Sequence, residues 1–278
     1  LFPYTTLFRS LRSLERHDFG LDVLVVDDIA TNREITQLFL ERFGHRVVHA
    51  RDGVEALEIL GRKIFDAVLM DGQMPRMDGM EAVRQLRSGQ CSVLDEDVYV
   101  IALTANAMSG DRERFIEAGA NEYLAKPVLP MQLFDAITQV IVRQQARGME
   151  LRSAEPSAPS LAKPVPTLMP LQEQDPLRAP RLQRLFMADC QALLARLKEA
   201  VAQVDHAEAA RIAHSLKGSA GQFGEAALEA SAALMEQAAA DADIATMLAA
   251  LLQLDMQGLT LAARQPGPSE KTGKPDDV

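Results

Sequence analysis

The sequence predicts an α/β domain built on a parallel five-stranded sheet, followed by an all-α domain with a four-helix bundle. Three observations carry this. Between residues 21 and 146, short apolar runs alternate with amphipathic stretches of helical period, and that alternation produces a parallel sheet covered on both faces. Seven of the fourteen prolines then fall between Pro156 and Pro180, amid Ser, Ala and Glu, which reads as a tether over residues 147–176. Residues 177–264 are dominated by Ala, Leu, Gln and charged side chains and hold four helical segments, a bundle pattern.

The elements follow in order. LDVLVV (21–26) is a buried strand, TNREITQLFLERFG (31–44) a helix stopped by Gly44, and VVHA (47–50) a short strand. DGVEALEILGRK (52–63) is a helix, FDAVLM (65–70) a strand and GMEAVRQLRS (79–88) a helix, with a loop over 89–97. VYVIALT (98–104) and EYLA (122–125) are strands flanking the helix RERFIEAG (112–119), and a last helix covers about 130–146. The bundle helices are expected near 180–204, 206–222, 225–240 and 243–263. Asp52-Gly53 and Asp78-Gly79 read as helix caps.

Composition excludes several classes. The net charge of -10, no tryptophan and 5% aromatic residues argue against nucleic acid, whose phosphates attract basic, aromatic-bearing surfaces. Cys91 and Cys190 are far apart with no metal-ligand spacing, so neither zinc nor a disulfide is expected and a cytoplasmic setting is the default. No run approaches 18 consecutive apolar residues, and no membrane contact by this segment is expected. LFPYTTLFRS (1–10) resembles an in-frame translated sequencing adapter, so residues 1–20 are set aside as that artefact plus a linker remnant. The natural chain is then expected to extend upstream. The tail 265–278 is expected to be disordered.

In an open parallel sheet, ligands bind beyond the carboxyl ends of the strands. Those ends carry Asp27 and Asp28, then Asp71, Thr104 and Lys126. Three carboxylates converging on one point repel unless a cation sits between them, and magnesium with carboxylate and phosphate oxygens fits best. Lys126 and the Thr104 hydroxyl would meet the remaining oxygens of a bound phosphoryl group.

VLVVDD, VLMDGQMPRMDGMEAVRQLR, ALTANA and YLAKP together resemble the motifs of a response-regulator receiver domain over about residues 21–145. The resemblance implies a flavodoxin-like (βα)5 fold with Asp71 as phosphoacceptor nucleophile. It also implies that Asp28, with Asp27 and the backbone carbonyl of Gln73, holds Mg2+. Thr104 and Lys126 would contact the phosphoryl oxygens, Tyr123 would be the aromatic switch beside Thr104, and Lys126-Pro127 would be a cis peptide. The longer segment 89–97 departs from the most compact receivers.

AHSLKGSAGQFG (213–224) raises a separate question, because Gly218 and Gly221 each cost a helix about 1 kcal/mol relative to alanine. On a helix, Ala209, Ala213, Leu216, Ala220 and Phe223 form one apolar stripe. His214 then lies nearly opposite and is expected to face solvent, with Lys217 and Gly218 beside it. Small residues leave room for another protein's active site, and Lys217 offers charge to a phosphate. His17, His45, His49 and His206 read as incidental. HSLKGSA resembles the histidine-phosphotransfer (HPt) domain over about residues 177–263, which implies that His214 is phosphorylated and Lys217 assists it.

The order receiver, tether, HPt resembles the C-terminal part of a bacterial hybrid sensor histidine kinase, whose parent could be anchored in the inner membrane. The expected function is a phosphorelay: Asp71 takes phosphate from a phosphohistidine of an upstream kinase core, in cis or in trans, and passes it to His214. His214 then donates to a downstream response regulator. The chain has no ATP-binding motif of its own, so whether it is itself an enzyme stays open. The alternative is a standalone protein whose receiver gates an interaction without an upstream kinase.

Overall fold

The computed structural model describes residues 17–89, 91–104, 111–149, 151–153 and 179–263. The expected adapter remnant at 1–10, most of the tether, the tail and the residues after Thr104 lie outside these.

The first domain is β1 (Phe19–Gly20), β2 (Asp22–Val26), α1 (Ala30–Phe43), β3 (Arg46–Ala50), α2 (Gly53–Leu60), β4 (Ala67–Asp71) and α3 (Gly79–Arg87). It continues with β5 (Tyr99–Thr104), α4 (Asp111–Glu117), β6 (Glu122–Ala125), α5 (Pro130–Ala146) and β7 (Arg152–Ser153). Strands β3-β2-β4-β5-β6 form one parallel sheet, the flavodoxin-like order whose reversal point lies between β2 and β4. Alternation along β2 sorts side chains to two cores. Val23 and Val25 join Ile35, Leu40 and Phe43 of α1 with Leu133 and Ile137 of α5. Leu24 and Val26 join Leu60 of α2, Leu86 of α3 and Phe115 of α4. Asp52 and Asp78 cap α2 and α3 as expected, accepting from the Glu55 and Glu81 amides at 3.0 and 2.8 Å. Gly44 ends α1 at φ 99°, a left-handed position that only glycine takes without strain.

Two segments that the sequence reading set outside the fold belong to it. Phe19–Gly20 pairs antiparallel with Arg152–Ser153, so the residue range assigned to the tether begins with an ordered strand. Two residues of strand carry no periodic signal, which is why the pairing escapes sequence reading. His17 is also buried, in a relay that reached it from three elements. The Leu21 amide donates to His45 Nδ1 at 3.2 Å. That makes His45 Nε2 the donor to His17 Nδ1 at 3.0 Å. His17 Nε2 donates in turn to Thr138 Oγ1 at 2.9 Å, and Thr138 to the Phe134 carbonyl at 2.8 Å. His17 stacks on Phe134 with 4.0 Å between centroids.

Burial lowers the pKa of His17, outweighing a hydrogen bond to the Phe134 backbone carbonyl and the charge of Asp18. His17→Ala should cost about 2 kcal/mol at pH 7.5, because it orphans buried ring donors and acceptors. The unfolded chain protonates His17 below about pH 6.5 while the folded chain resists, so this contribution fades as pH falls. Urea unfolding at both pH values should therefore give a smaller difference at pH 5. A difference that grows on acidification would contradict a neutral His17.

The second domain is α6 (Ala179–Ala202), α7 (His206–Phe223), α8 (Ala226–Ala240) and α9 (Ile244–Ala263). Its core holds Leu193 and Leu197 of α6, Ala209, Ile212, Ala213, Leu216 and Ala220 of α7, Met235 of α8, and Leu254 of α9. The predicted α7 stripe is therefore the buried one, with Phe223 stacked on Phe186 at 4.1 Å. Helix α9 is long and apolar enough to cross a membrane by length and composition, but Met247, Ala250, Leu254 and Leu261 lie in the bundle core. Leu248, Leu252, Met256 and Leu259 of the same helix are exposed.

The two domains touch. Ile29, at the start of α1, joins the bundle core. The Thr31 amide donates to Asp189 of α6 at 2.8 Å, as does the Thr31 hydroxyl. Arg181 meets Glu34 at 2.9 Å, and Ser219 of α7 donates to Asn32 at 3.3 Å.

Candidate phosphotransfer site

β2 and β4 deliver Asp27, Asp28 and Asp71 to the same end of the sheet, and one oxygen from each lies within 4.8 Å of the others. Asp27 is locked by the Ile29 amide at 2.9 Å, by Asn32 Nδ2 at 3.1 and 3.2 Å and by Lys126 Nζ at 2.8 Å. Lys126 Nζ also pairs with Asp71 at 2.8 Å and is 5% exposed. Lys126 and Pro127 are joined by the expected cis peptide bond. The loop after β4 folds back so that the Gly79 amide reaches the Gly72 carbonyl at 3.1 Å.

Charge in this pocket is unbalanced. Burial raises the Asp71 carboxyl to about 7, Lys126 opposes that, and Asp27 and Asp28 add to it. Burial and then Asp27 raise Asp28 to about 6 against the pull of Lys126 and Arg211. Burial alone would lower Lys126, but Asp27 and Asp71 more than reverse it and hold the ammonium charged. Among the described residues of the first domain, Lys126 is thus the one cation in contact with this cluster of three carboxylates.

The residues fit a hard divalent cation on a second ground besides their charge. Asp28 Oδ1 and Thr104 Oγ1 are both buried without a hydrogen-bond partner among the described residues, and orphaned oxygens of this kind require an explanation. A cation coordinated by oxygen and carrying phosphate would satisfy both. Gln73 is exposed, on the loop leading out of β4. Tyr123 is half-buried, with the Arg112 guanidinium 4.9 Å from its ring centroid.

His214 departs from the expectation. It is 8% exposed instead of facing solvent, because its face of α7 lies against the receiver and α8. The Arg211 guanidinium reaches Asp28 at 3.3 Å, and a Cβ built on Gly218 would stand 3.7 Å from the Lys126 side chain. Gly218 therefore lies against the acidic pocket with room for a methyl group and little more. Gly221 instead faces the Glu229 carboxylate, within the bundle. His214 Nδ1 bonds Glu236 Oε1 of α8 at 2.7 Å, and Lys217 bonds the other oxygen of the same carboxylate. Burial would raise the Glu236 carboxyl, but hydrogen bonds from His214 and Lys217 override it and hold it below the usual range.

Of the residues expected from the sequence, the structure places Asp27, Asp28, Asp71, Thr104, Lys126, His214 and Lys217 along the boundary between the domains. Asn32, Gly79, Arg211 and Glu236 also lie there and were not among the expected residues. Glu236 lies 22 residues from His214 on another helix, and nothing local marks it.

Known proteins resemble both parts of the chain. The family model for the response regulator receiver domain matches residues 23–138, and that for the Hpt domain matches residues 181–261. The chain carries a receiver domain followed by an Hpt domain. The sensor histidine kinase AruS of Pseudomonas aeruginosa is 34% identical over 218 residues, covering 78% of this chain and 21% of AruS. The autoinducer 2 sensor kinase/phosphatase LuxQ of Vibrio vulnificus is 37% identical over 118 residues, 42% of this chain and 13% of LuxQ. The chain thus spans about a fifth or less of these relatives. Among solved structures, the receiver domain of sensor histidine kinase PA1611 from Pseudomonas aeruginosa is 37% identical, with a TM-score of 0.41. It covers 44% of this chain and 98% of that one, and its structure has a magnesium ion in the active-site cleft. A receiver and an Hpt domain in one chain are phosphorelay machinery.

Proposed function

We propose that the two domains perform consecutive steps of one phosphorelay. Asp71 accepts a phosphoryl group from a phosphohistidine of a histidine kinase core, of the kind the longer relatives are named for. His214 takes it from Asp71 and donates it to a separate response regulator on the cytoplasmic side. The observation that carries this reading is the seating of the His214-bearing face of α7 on the acidic pocket, with Arg211 at Asp28 and Gly218 over Lys126.

The chemistry is nucleophilic displacement at phosphorus. An ionised Asp71 attacks without a general base. Asp27, Asp28, Asp71 and the Gln73 carbonyl are the groups that would hold magnesium, which supplies charge neutralisation for the transferring phosphoryl group. Lys126 and the Thr104 hydroxyl fix its other oxygens. In the second step Nε2 of His214 forms a bond to phosphorus while the Asp71–phosphorus oxygen bond breaks and its electrons return to the carboxylate. Nδ1 keeps its proton and donates it to the Glu236 carboxylate, so the attacking Nε2 keeps its lone pair free and the imidazolium that forms meets a carboxylate.

Acetyl phosphate labelling of wild type, Asp71→Ala and His214→Ala tests this. Base-stable phosphohistidine in wild type that disappears in both variants, with acid-stable acyl phosphate retained in His214→Ala, is the expected result. Label that stays on Asp71 in wild type would break the internal relay and favour the gated-interaction alternative.

A further inference from the structure

We propose that Arg211 makes docking of the two domains compete with cation binding in the receiver pocket, so that magnesium loosens the docked pair. The proposal rests on the reading of Asp27, Asp28 and Asp71 as a magnesium site.

Arg211 stands one turn before His214 and is 18% exposed. The bundle itself orients it: Glu208 accepts from Arg211 Nε at 2.8 Å and from Nη2 at 2.7 Å, and Glu208 also binds Arg196 at 2.9 Å. Only Nη1 is turned outward, and it meets Asp28 Oδ2 at 3.3 Å. Asp28 is thus the receiver's anion for this guanidinium and also one of the three convergent carboxylates. Its second oxygen is buried without a hydrogen-bond partner among the described residues, so Arg211 is the one cation in direct contact with this carboxylate among them.

The charge count decides the direction. With its carboxylates ionised, the pocket holds three negative charges and one ammonium, two net negatives that attract Arg211. A divalent cation cancels both, and its charge then stands beside a guanidinium sharing the same carboxylate. Arg211 loses little by leaving, because Glu208 already holds two of its nitrogens. Phosphorylation of Asp71 turns a single negative charge into two and gives Arg211 an anion again. Docking is therefore favoured with the pocket empty of metal or phosphorylated, and weakest with magnesium alone. Since coupling is reciprocal, docking must also weaken magnesium binding.

Two variants separate this from plain electrostatics. Arg211→Ala removes both the competing cation and a docking contact. Asp189→Ala removes an anion that touches Thr31 and not the pocket residues, so its charge effect alone would weaken magnesium binding, whereas loss of docking would strengthen it. Titration calorimetry of the full chain with magnesium chloride at pH 8 should show Arg211→Ala binding about five- to tenfold tighter than wild type. Asp189→Ala should also bind tighter, by a smaller factor. Small-angle scattering of wild type should show expansion on adding magnesium, reversed when beryllofluoride is added as a phosphoryl mimic. Magnesium binding that Asp28→Asn abolishes but that is unchanged or weaker in Arg211→Ala, or weaker in Asp189→Ala, overturns the competition and leaves the magnesium site standing. No magnesium binding in any variant overturns both.

Discussion

Replacing Glu236 by alanine should slow phosphoryl transfer into His214 by about a hundredfold while leaving phosphorylation of Asp71 intact, the scale expected when a reacting group loses its orientation. Glu236 accepts from Nδ1 of His214, which fixes the tautomer with its free lone pair on Nε2 and the plane of the ring. Without it the ring rotates, the other tautomer becomes accessible and the developing imidazolium loses its counter-ion. One effect opposes this, because Lys217 is released from the same carboxylate and its charge becomes available to the phosphate. Orientation should prevail: a single partly exposed ammonium contributes about 1 kcal/mol, less than the roughly 2.7 kcal/mol that a hundredfold change represents. Glu236→Gln can still accept from Nδ1 and should restore most of the rate. Label appearing on His214 at the wild-type rate in Glu236→Ala, measured by quenched-flow with acid and base stability, would remove Glu236 from the mechanism.

Gly79→Ala should destabilise the receiver by about 3 kcal/mol, at the upper end for overpacking, and should cut labelling of Asp71 with it. A Cβ on Gly79 would lie 2.0 Å from the Asp71 carbonyl oxygen and 3.0 Å from its carbonyl carbon. Those are backbone atoms at the end of a central strand, with no freedom to yield. Alanine returns only about 1 kcal/mol of helix propensity to α3, so the clash wins. Urea unfolding gives the stability, and acetyl phosphate labelling reports whether Asp71 has moved. A Gly79→Ala protein as stable as wild type would mean that the β4–α3 turn adjusts more freely than its geometry indicates.

What the sequence revealed and what it hid divide along a physical line. Asp27, Asp28, Asp71, Thr104 and Lys126 end strands that are legible as apolar runs, so topology alone brings them together. The apolar stripe of α7 was legible for the same reason, since period fixes which face is buried. The burial of His214 was not, because that depends on a second domain seated on the remaining face. Arg211 and Glu236 are charged residues on amphipathic helices and look like solvated surface until a partner appears opposite. Asp78-Gly79 was legible as a cap, but the approach of Gly79 to Asp71 requires the loop path between them. The His17–His45 relay joins residues 28 apart through ring nitrogens, for which no periodic pattern exists.

The β1–β7 ribbon has a consequence for competition between partners. It fixes Ser153 at the edge of the receiver, leaving 25 residues before α6 begins at Ala179. Fully extended, that length spans about 90 Å. Whatever path it takes, the Hpt domain therefore experiences its own receiver at a local concentration of at least about 0.5 mM. A separate regulator present at micromolar levels meets His214 against a built-in rival hundreds of times more abundant. Delivery onward then depends less on how tightly the regulator binds than on how often the receiver lets go.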